Sequence, residues 1–206
     1  HNPVWGVKPP KQRGDPADSI TYLTATEAET FLQAPLAKST PLKVLRDRFL
    51  LGLMTLEGVR SIEVYKANVG DIRRDPAGVG ITVMSKRQQR VVPLIPDLVD
   101  VLDRYLLARR SAKFSTAAAT PLFINVHHPR HQIDPDREDR RLSRRGIRFI
   151  VDSYLTALNL KHGEGRTLSA HSLRHTAGTL AIQNGVSLRQ VQELLGHADP
   201  KTTAIY

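Results

Sequence analysis

The sequence predicts an α+β chain, mostly helical, with a small antiparallel sheet near residues 69 to 94. Three observations carry this. Apolar residues recur at helical spacing over several stretches. Two of those stretches open on capping boxes, Thr24-Ala-Thr-Glu27 and Ser187-Leu-Arg-Gln190. Only two short runs, Ile81-Thr-Val-Met84 and Arg90-Val-Val-Pro-Leu94, have β character. A length of 206 residues suits one domain with a sizeable core.

Residues 1 to 19 are rich in Pro, Gly, Lys and Asp without a hydrophobic period, so they read as a linker. The chain opens on His1-Asn2-Pro3 with neither an initiator methionine nor a signal-peptide pattern. A segment of a longer protein is therefore expected. Order should begin near Tyr22. The first helix runs from the Thr24 N-cap to about Gln33. A strongly apolar helix follows from about Leu42 to Leu56 and is closed by Gly58. Residues 60 to 67 read as a short helix.

The polar stretch Ser85 to Gln89 should be a hairpin turn, and Pro93 places its strand at a sheet edge. Asp97 to Leu107 has a helical stripe. Residues 109 to 121 and 125 to 140 read as loops. Arg141 to Leu158 reads as a basic amphipathic helix, with Leu142, Ile147, Ile150, Val151, Tyr154 and Leu158 inward. Arg140, Arg144, Arg145 and Arg148 face outward. His171 to Gln183 is helical and ends at Asn184-Gly185. In the next helix Val186 and Val191 form a hydrophobic staple, and Gly196 ends it. Asp199-Pro200 then gives an N-cap with proline at the first helical position, which puts Tyr206 about two turns into a last short helix.

Composition narrows the function. The net charge is +10 and the isoelectric point about 10.2, which makes nucleic acid the first partner to consider. Aromatic residues are only 5%, so duplex backbone binding fits better than base stacking on single strands. The sequence has no cysteine, which excludes disulfides and thiolate metal sites and suits a reducing, cytoplasmic setting. No apolar run is long enough to cross a membrane.

The chemistry gathers at the C-terminal end. His171-Ser-Leu-Arg174 places a histidine and an arginine three apart at a helix start, on one face. That end of the helix adds partial positive charge, and the arginine fork matches two phosphate oxygens. An isolated pair of this kind is more often a surface arginine beside a capping histidine. Here Leu195-Gly-His197 follows, with Tyr206 nine residues later. His197 can donate to a phosphate oxygen. Tyr206 can attack phosphorus, its phenol favoured toward ionisation by the surrounding cations. The His127, His128 and His131 loop lacks a helix to fix its spacing and reads as loop instead of a metal site. His175 is expected to face away and support the core. The six arginines between Arg137 and Arg148 fit a solvated face or a DNA backbone contact equally well.

This arrangement, together with Gly58-Val-Arg60-Ser-Ile-Glu63 upstream and Ser85-Lys86, resembles the tyrosine recombinase (phage integrase) family over about residues 20 to 206. The resemblance implies a tyrosine-recombinase-like catalytic domain over 20 to 206, with 1 to 19 as the tether from an upstream DNA-binding domain. It implies DNA strand exchange through a 3′-phosphotyrosyl intermediate, with no cofactor and no metal. The implied catalytic set is Arg60, Lys86, His171, Arg174, His197 and Tyr206. Arg60 would be the second phosphate clamp, oriented by Glu63, and Lys86 the general acid for the leaving 5′-oxygen. The segment Ser85-Lys86-Arg87-Gln-Gln-Arg90 is shorter than the family pattern, which leaves Arg87 or Arg90 open as sharing that contact. The implied partner is double-stranded DNA, bound by a homotetramer that often associates through a tail after the tyrosine. Two alternatives remain from the residues: a type IB topoisomerase, and a DNA-binding module without catalysis.

Overall fold

A computed structural model describes residues 20–36, 40–84, 89–126, 140–163, 165–196 and 203. Seven α-helices and two small antiparallel sheets make up this part. Helix α1 (Ala25–Gln33) starts where the sequence requires: the Thr24 side chain accepts from the Glu27 N–H, and Glu27 accepts from the Thr24 N–H at 2.9 Å. Helix α2 (Pro41–Thr55) carries proline in its first turn and is the centre of the molecule, packed against α1, α4 (Pro96–Ser111) and α6 (Ala170–Gln183). Phe49, Leu50, Leu51 and Leu53 are fully buried, consistent with a C-terminal half that is apolar all round.

Two charges on α2 are also buried, and both are paired. The Arg46 Nε and Nη2 donate to Asp47 Oδ1 at 2.8 and 2.6 Å, and its Nη1 donates to the Ile124 carbonyl at 3.0 Å. Asp47 Oδ2 accepts from Lys43 and from the Tyr154 hydroxyl, each at 2.9 Å. This network fastens α2 to helix α5 (Arg144–Ala157), the element that Tyr154 belongs to.

The main sheet has the order β1-β2-β3, with β1 at Ile72–Asp75, β2 at Gly78–Met84 and β3 at Gln89–Pro93. Ile81 pairs with Val92 and Met84 with Gln89, so β2 and β3 form the expected hairpin. β3 is an edge strand, where the missing N–H of Pro93 costs no ladder bond. Helix α3 (Ser61–Lys66) packs against β2. The turn residues 85 to 88 lie outside the described residues.

Several expectations are corrected. Helix α4 continues to Ser111, beyond Leu107, because Arg109 is itself a core residue at 1% exposure. Its guanidinium donates to the carbonyls of Pro121 and Leu122 at 2.8 and 3.0 Å, which shapes the loop before them. Helix α5 begins at Arg144 and not Arg141, since Ser143 caps it by accepting from the Gly146 N–H at 3.0 Å. Arg141 instead donates to the Tyr65 carbonyl and to Asn68 Oδ1, at 2.8 and 2.7 Å, holding the end of α3. A two-stranded ribbon, β4 (His162–Gly163) with β5 (Arg166–Thr167), had no signal in the sequence.

Glu57 gives a stability prediction. It is 5% exposed and accepts one hydrogen bond, from the Ile95 N–H at 3.2 Å. Burial pushes its carboxyl up to about 7, with the Ile95 N–H acting in the opposite direction. The folded value exceeds the unfolded one. Its stabilising share is therefore complete below about 4.5 and is lost as pH rises through about 7. Glu57→Gln keeps the acceptor and removes the titration. The variant should gain on the parent between those limits, by on the order of 3 kcal/mol in full. Thermal unfolding curves of the two proteins that stay parallel from acid to neutral pH would contradict this.

Candidate active site

Two helix starts build the site. Arg60 is the N-cap of α3, and its main-chain N–H is accepted by Glu63 Oε2 at 2.8 Å. His171 and Arg174 lie in the first turns of α6, whose N-cap Ser169 accepts from the His171 N–H at 3.3 Å. Gly58 brings the two starts together. It has φ +62°, and an added Cβ would lie 2.4 Å from Leu195 Cδ2. Only glycine allows both that conformation and that approach. The Gly58 carbonyl then accepts from Arg174 Nη1 at 2.7 Å.

Arg174 is 3% exposed, and its Nη2 donates to the Leu195 carbonyl at the end of helix α7 (Leu188–Leu195). Carbonyls at a helix C-terminus lack partners within the helix and attract a cation. The guanidinium plane is thus fixed before any ligand arrives. Arg60 keeps 33% exposure of its side chain and pairs with Glu63, which is fully buried, at 3.3 Å. Burial alone would raise the Glu63 carboxyl; hydrogen bonds and charge from Arg90, then Arg60, outweigh it and hold the group below the ordinary carboxylate range. Glu63 therefore stays ionised and orients arginines, as expected of it.

Arg60, His171 and Arg174 line one cleft of about 510 Å³. Arg144 and Arg148 from α5 and Lys161 also line it, with Asp152 as the lining's one carboxylate among the described residues. Asp152 is paired with Lys161. Among the described residues, five cations against one carboxylate favour a polyanion. Sequence reading placed Arg144 and Arg148 on an outward face but did not join them to the arginine clamp, and it missed Lys161. The basic spacing on α5 was the available signal; Lys161 had none.

His171 stands at the cleft, open to solvent on one side. Protein around the ring, then the charges of Arg174 and Arg60, lower its pKa below the ordinary imidazole value. At neutral pH it is a neutral donor and acceptor. His175 does not line the cleft but backs His171. One turn after His171, its ring meets the His171 ring edge-on at 4.7 Å between centroids. Burial, then His171 and Arg174, push His175 down to about 4. Three of the five N–H groups of Arg90 are already engaged, by the two Glu63 oxygens at 2.6 and 3.2 Å and by the Leu194 carbonyl at 3.2 Å.

Lys86, Arg87, His197 and Tyr206 lie outside the described residues, as do His127, His128, His131 and the Asp199-Pro200 cap. Their flanks are described: Met84 and Gln89 bracket the Lys86 turn, and α7 ends at Gly196 in the left-handed conformation, φ +62°. Among the described residues no group of three or more histidines or carboxylates could hold a metal ion. No helix among them is long and apolar enough to cross a membrane.

Comparison with known proteins extends this picture. The family model described as the phage integrase family matches residues 21–206. The chain is 33% identical over 205 residues to the tyrosine recombinase XerC of Neisseria gonorrhoeae, covering 100% of this chain and 59% of that protein. It is 31% identical over 161 residues to the tyrosine recombinase XerD of Staphylococcus haemolyticus, covering 78% of this chain and 49% of that protein. The chain thus spans about half to three fifths of the length of these relatives. Among solved structures, the XerH site-specific recombinase bound to a palindromic difH substrate, a post-cleavage complex, superposes with a TM-score of 0.72 at 25% identity, covering 91% of this chain and 49% of that one. The XerA recombinase gives a TM-score of 0.69 at 24% identity, covering 90% of this chain and 59% of that one, a likeness of fold.

Proposed function

The chain belongs to the phage integrase family, and from that premise we propose that it carries the strand-breaking and rejoining centre of a site-specific DNA recombinase. The observation that supports this best is the convergence of Arg60, His171 and Arg174 on one cationic cleft. In this reading a scissile phosphate occupies the cleft, with the two guanidinium groups on its non-bridging oxygens. They offset the extra negative charge of the pentacoordinate transition state. Tyr206 Oη bonds to phosphorus as the bond to the 5′-oxygen breaks. The phenolic proton leaves to a base, and Lys86 gives a proton to the departing 5′-oxygen. His171 and His197 hydrogen-bond the phosphate. The product is a 3′-phosphotyrosyl ester and a free 5′-hydroxyl. A 5′-hydroxyl from a partner strand reverses these steps, so no external energy source is needed.

The same reading takes residues 1–19 as a tether to a DNA-clamping module, 20–206 as the catalytic domain, and the active assembly as a homotetramer on two duplexes in the cytoplasm. The greater length of the relatives supports the tether.

The test is covalent trapping on a nicked duplex that loses its 5′-fragment after cleavage. A protein–DNA adduct that withstands denaturation is expected, and it should form at the same rate in excess chelator, since guanidinium and ammonium groups supply the charge that a metal would otherwise supply. Strict dependence on a divalent ion would overturn the mechanism. Exchange of strands between two marked duplexes separates recombination from resealing of one strand, the topoisomerase outcome. DNA binding without an adduct would leave only a binding module.

A further inference from the structure

Arg90 lies at the start of β3, four residues after Lys86, with 14% of its side chain exposed. Three bonds fix it. Nη1 and Nη2 donate to the two Glu63 oxygens at 2.6 and 3.2 Å, and Nε donates to the Leu194 carbonyl at 3.2 Å. The side chain runs flush against Gly196, where an added Cβ would be 2.9 Å from Arg90 Cδ.

These contacts close a ring through the site. Glu63 also holds Arg60, through its main-chain N–H at 2.8 Å and its Nη1 at 3.3 Å. Leu194 precedes Leu195, whose carbonyl holds Arg174. Adjacent carbonyls at the end of α7 therefore anchor one arginine each. The ring passes from Arg60 to Glu63, Arg90, Leu194 and Leu195, Arg174, and back through the Gly58 carbonyl.

We propose that Arg90 is a positioning residue for phosphoryl transfer: by bridging Glu63 and the end of α7, it sets the separation of Arg60 and Arg174. This rests on the function proposed above. Arg90 does not touch the reacting phosphate; it acts through Glu63 and the α7 carbonyl. A planar fork with a third donor on Nε can span carboxylate and carbonyl together, whereas an ammonium group is a point donor without that fixed geometry. The same bridge joins the strand after Lys86 and the chain before His197 to one charge cluster.

The experiment is Arg90→Lys, which keeps a cation beside buried Glu63. Single-turnover cleavage of the nicked duplex at saturating DNA should fall at least tenfold (about tenfold per 1.4 kcal/mol of transition-state stabilisation). DNA affinity should stay within about twofold, because Arg90 contributes no phosphate contact. Amide hydrogen exchange near residues 60–63 and 194–196 should speed up, a readout independent of activity. A wild-type rate in Arg90→Lys overturns the proposal, as does a loss confined to DNA affinity. Full rescue by a sulfur leaving group would make Arg90 an acid instead. Loss of the whole fold in both Arg90→Lys and Arg90→Met would make its role generally structural and also overturn it. If wild type forms no adduct, the recombinase reading fails, and unchanged hydrogen exchange would then sink the bridge separately.

Discussion

Tyr206→Phe is expected to abolish covalent attachment to DNA while leaving DNA binding and thermal stability close to those of the parent. The change removes one oxygen, and with it the only atom that can form the ester. Affinity rests mainly on neutralisation of phosphates by the cleft arginines and by the exposed side chains of Arg144, Arg145 and Arg148, none of which is altered. The effect should be all-or-none on a denaturing gel of the nicked-duplex reaction, with band shifts unchanged under native conditions. An adduct that persists in Tyr206→Phe would remove Tyr206 from the mechanism. A parallel loss of DNA binding would mean that the tyrosine acts before chemistry.

Much of the fold was legible because its signals are local. The Thr24 and Ser187 capping boxes both form as read, with Ser187 accepting from the Gln190 N–H. Gly196 stops α7 in the left-handed conformation, and Pro93 sits on an edge strand; α2 instead ends at Thr55 with Leu56 as its cap, and left-handed Gly58 follows two residues later. Part of the cleft lining was legible for a similar reason. The three apart spacing of His171 and Arg174 brings both to one cleft, and Arg60 joins them there.

What was hidden is the supporting structure of carbonyls. Arg174 is held by Gly58 and Leu195, Arg90 by Leu194, Arg109 by Pro121 and Leu122, and Arg46 by Ile124. Every residue carries a carbonyl, so such a bond leaves no mark in the sequence. Arginine is also read as a surface residue by default. Residues 109 to 121 read as a small-residue loop, so Arg109 was placed outside the helix that buries it. Guanidinium groups whose Nη donors meet carbonyls escape that default, because those acceptors replace water; Arg109 stays buried this way although its Nε has no partner among the described residues. The contact that His175 makes was also unread, though the residue stays out of the cleft lining as expected. It follows Arg174 directly, yet its neighbour on the helix surface is His171, one turn back.

Arg174 and Lys86 are both expected to be essential on ordinary DNA, and a change of leaving group should separate them. Arg174→Ala removes a charge from the non-bridging oxygens, which on its own predicts a loss of about 10²- to 10³-fold in cleavage rate. It also strips the Gly58 and Leu195 carbonyls of a donor, at about 1–3 kcal/mol for each group left unsatisfied. Thermal unfolding must therefore be followed alongside, and Arg174→Lys serves as the better folded companion. Lys86→Ala removes the proposed proton donor, and thermal unfolding is followed for it as well. An alkoxide leaving group is strongly basic and needs that proton; a thiolate is far less basic and does not. A substrate with sulfur bridging at the scissile 5′-position should thus restore cleavage by Lys86→Ala toward the parent rate. It should not restore Arg174→Ala or Arg174→Lys, because the charge developing on the non-bridging oxygens is the same for either leaving group. Rescue of both residues, or of neither, would remove Lys86 as the acid. Rescue of Arg87→Ala in its place would move the role one residue along the turn.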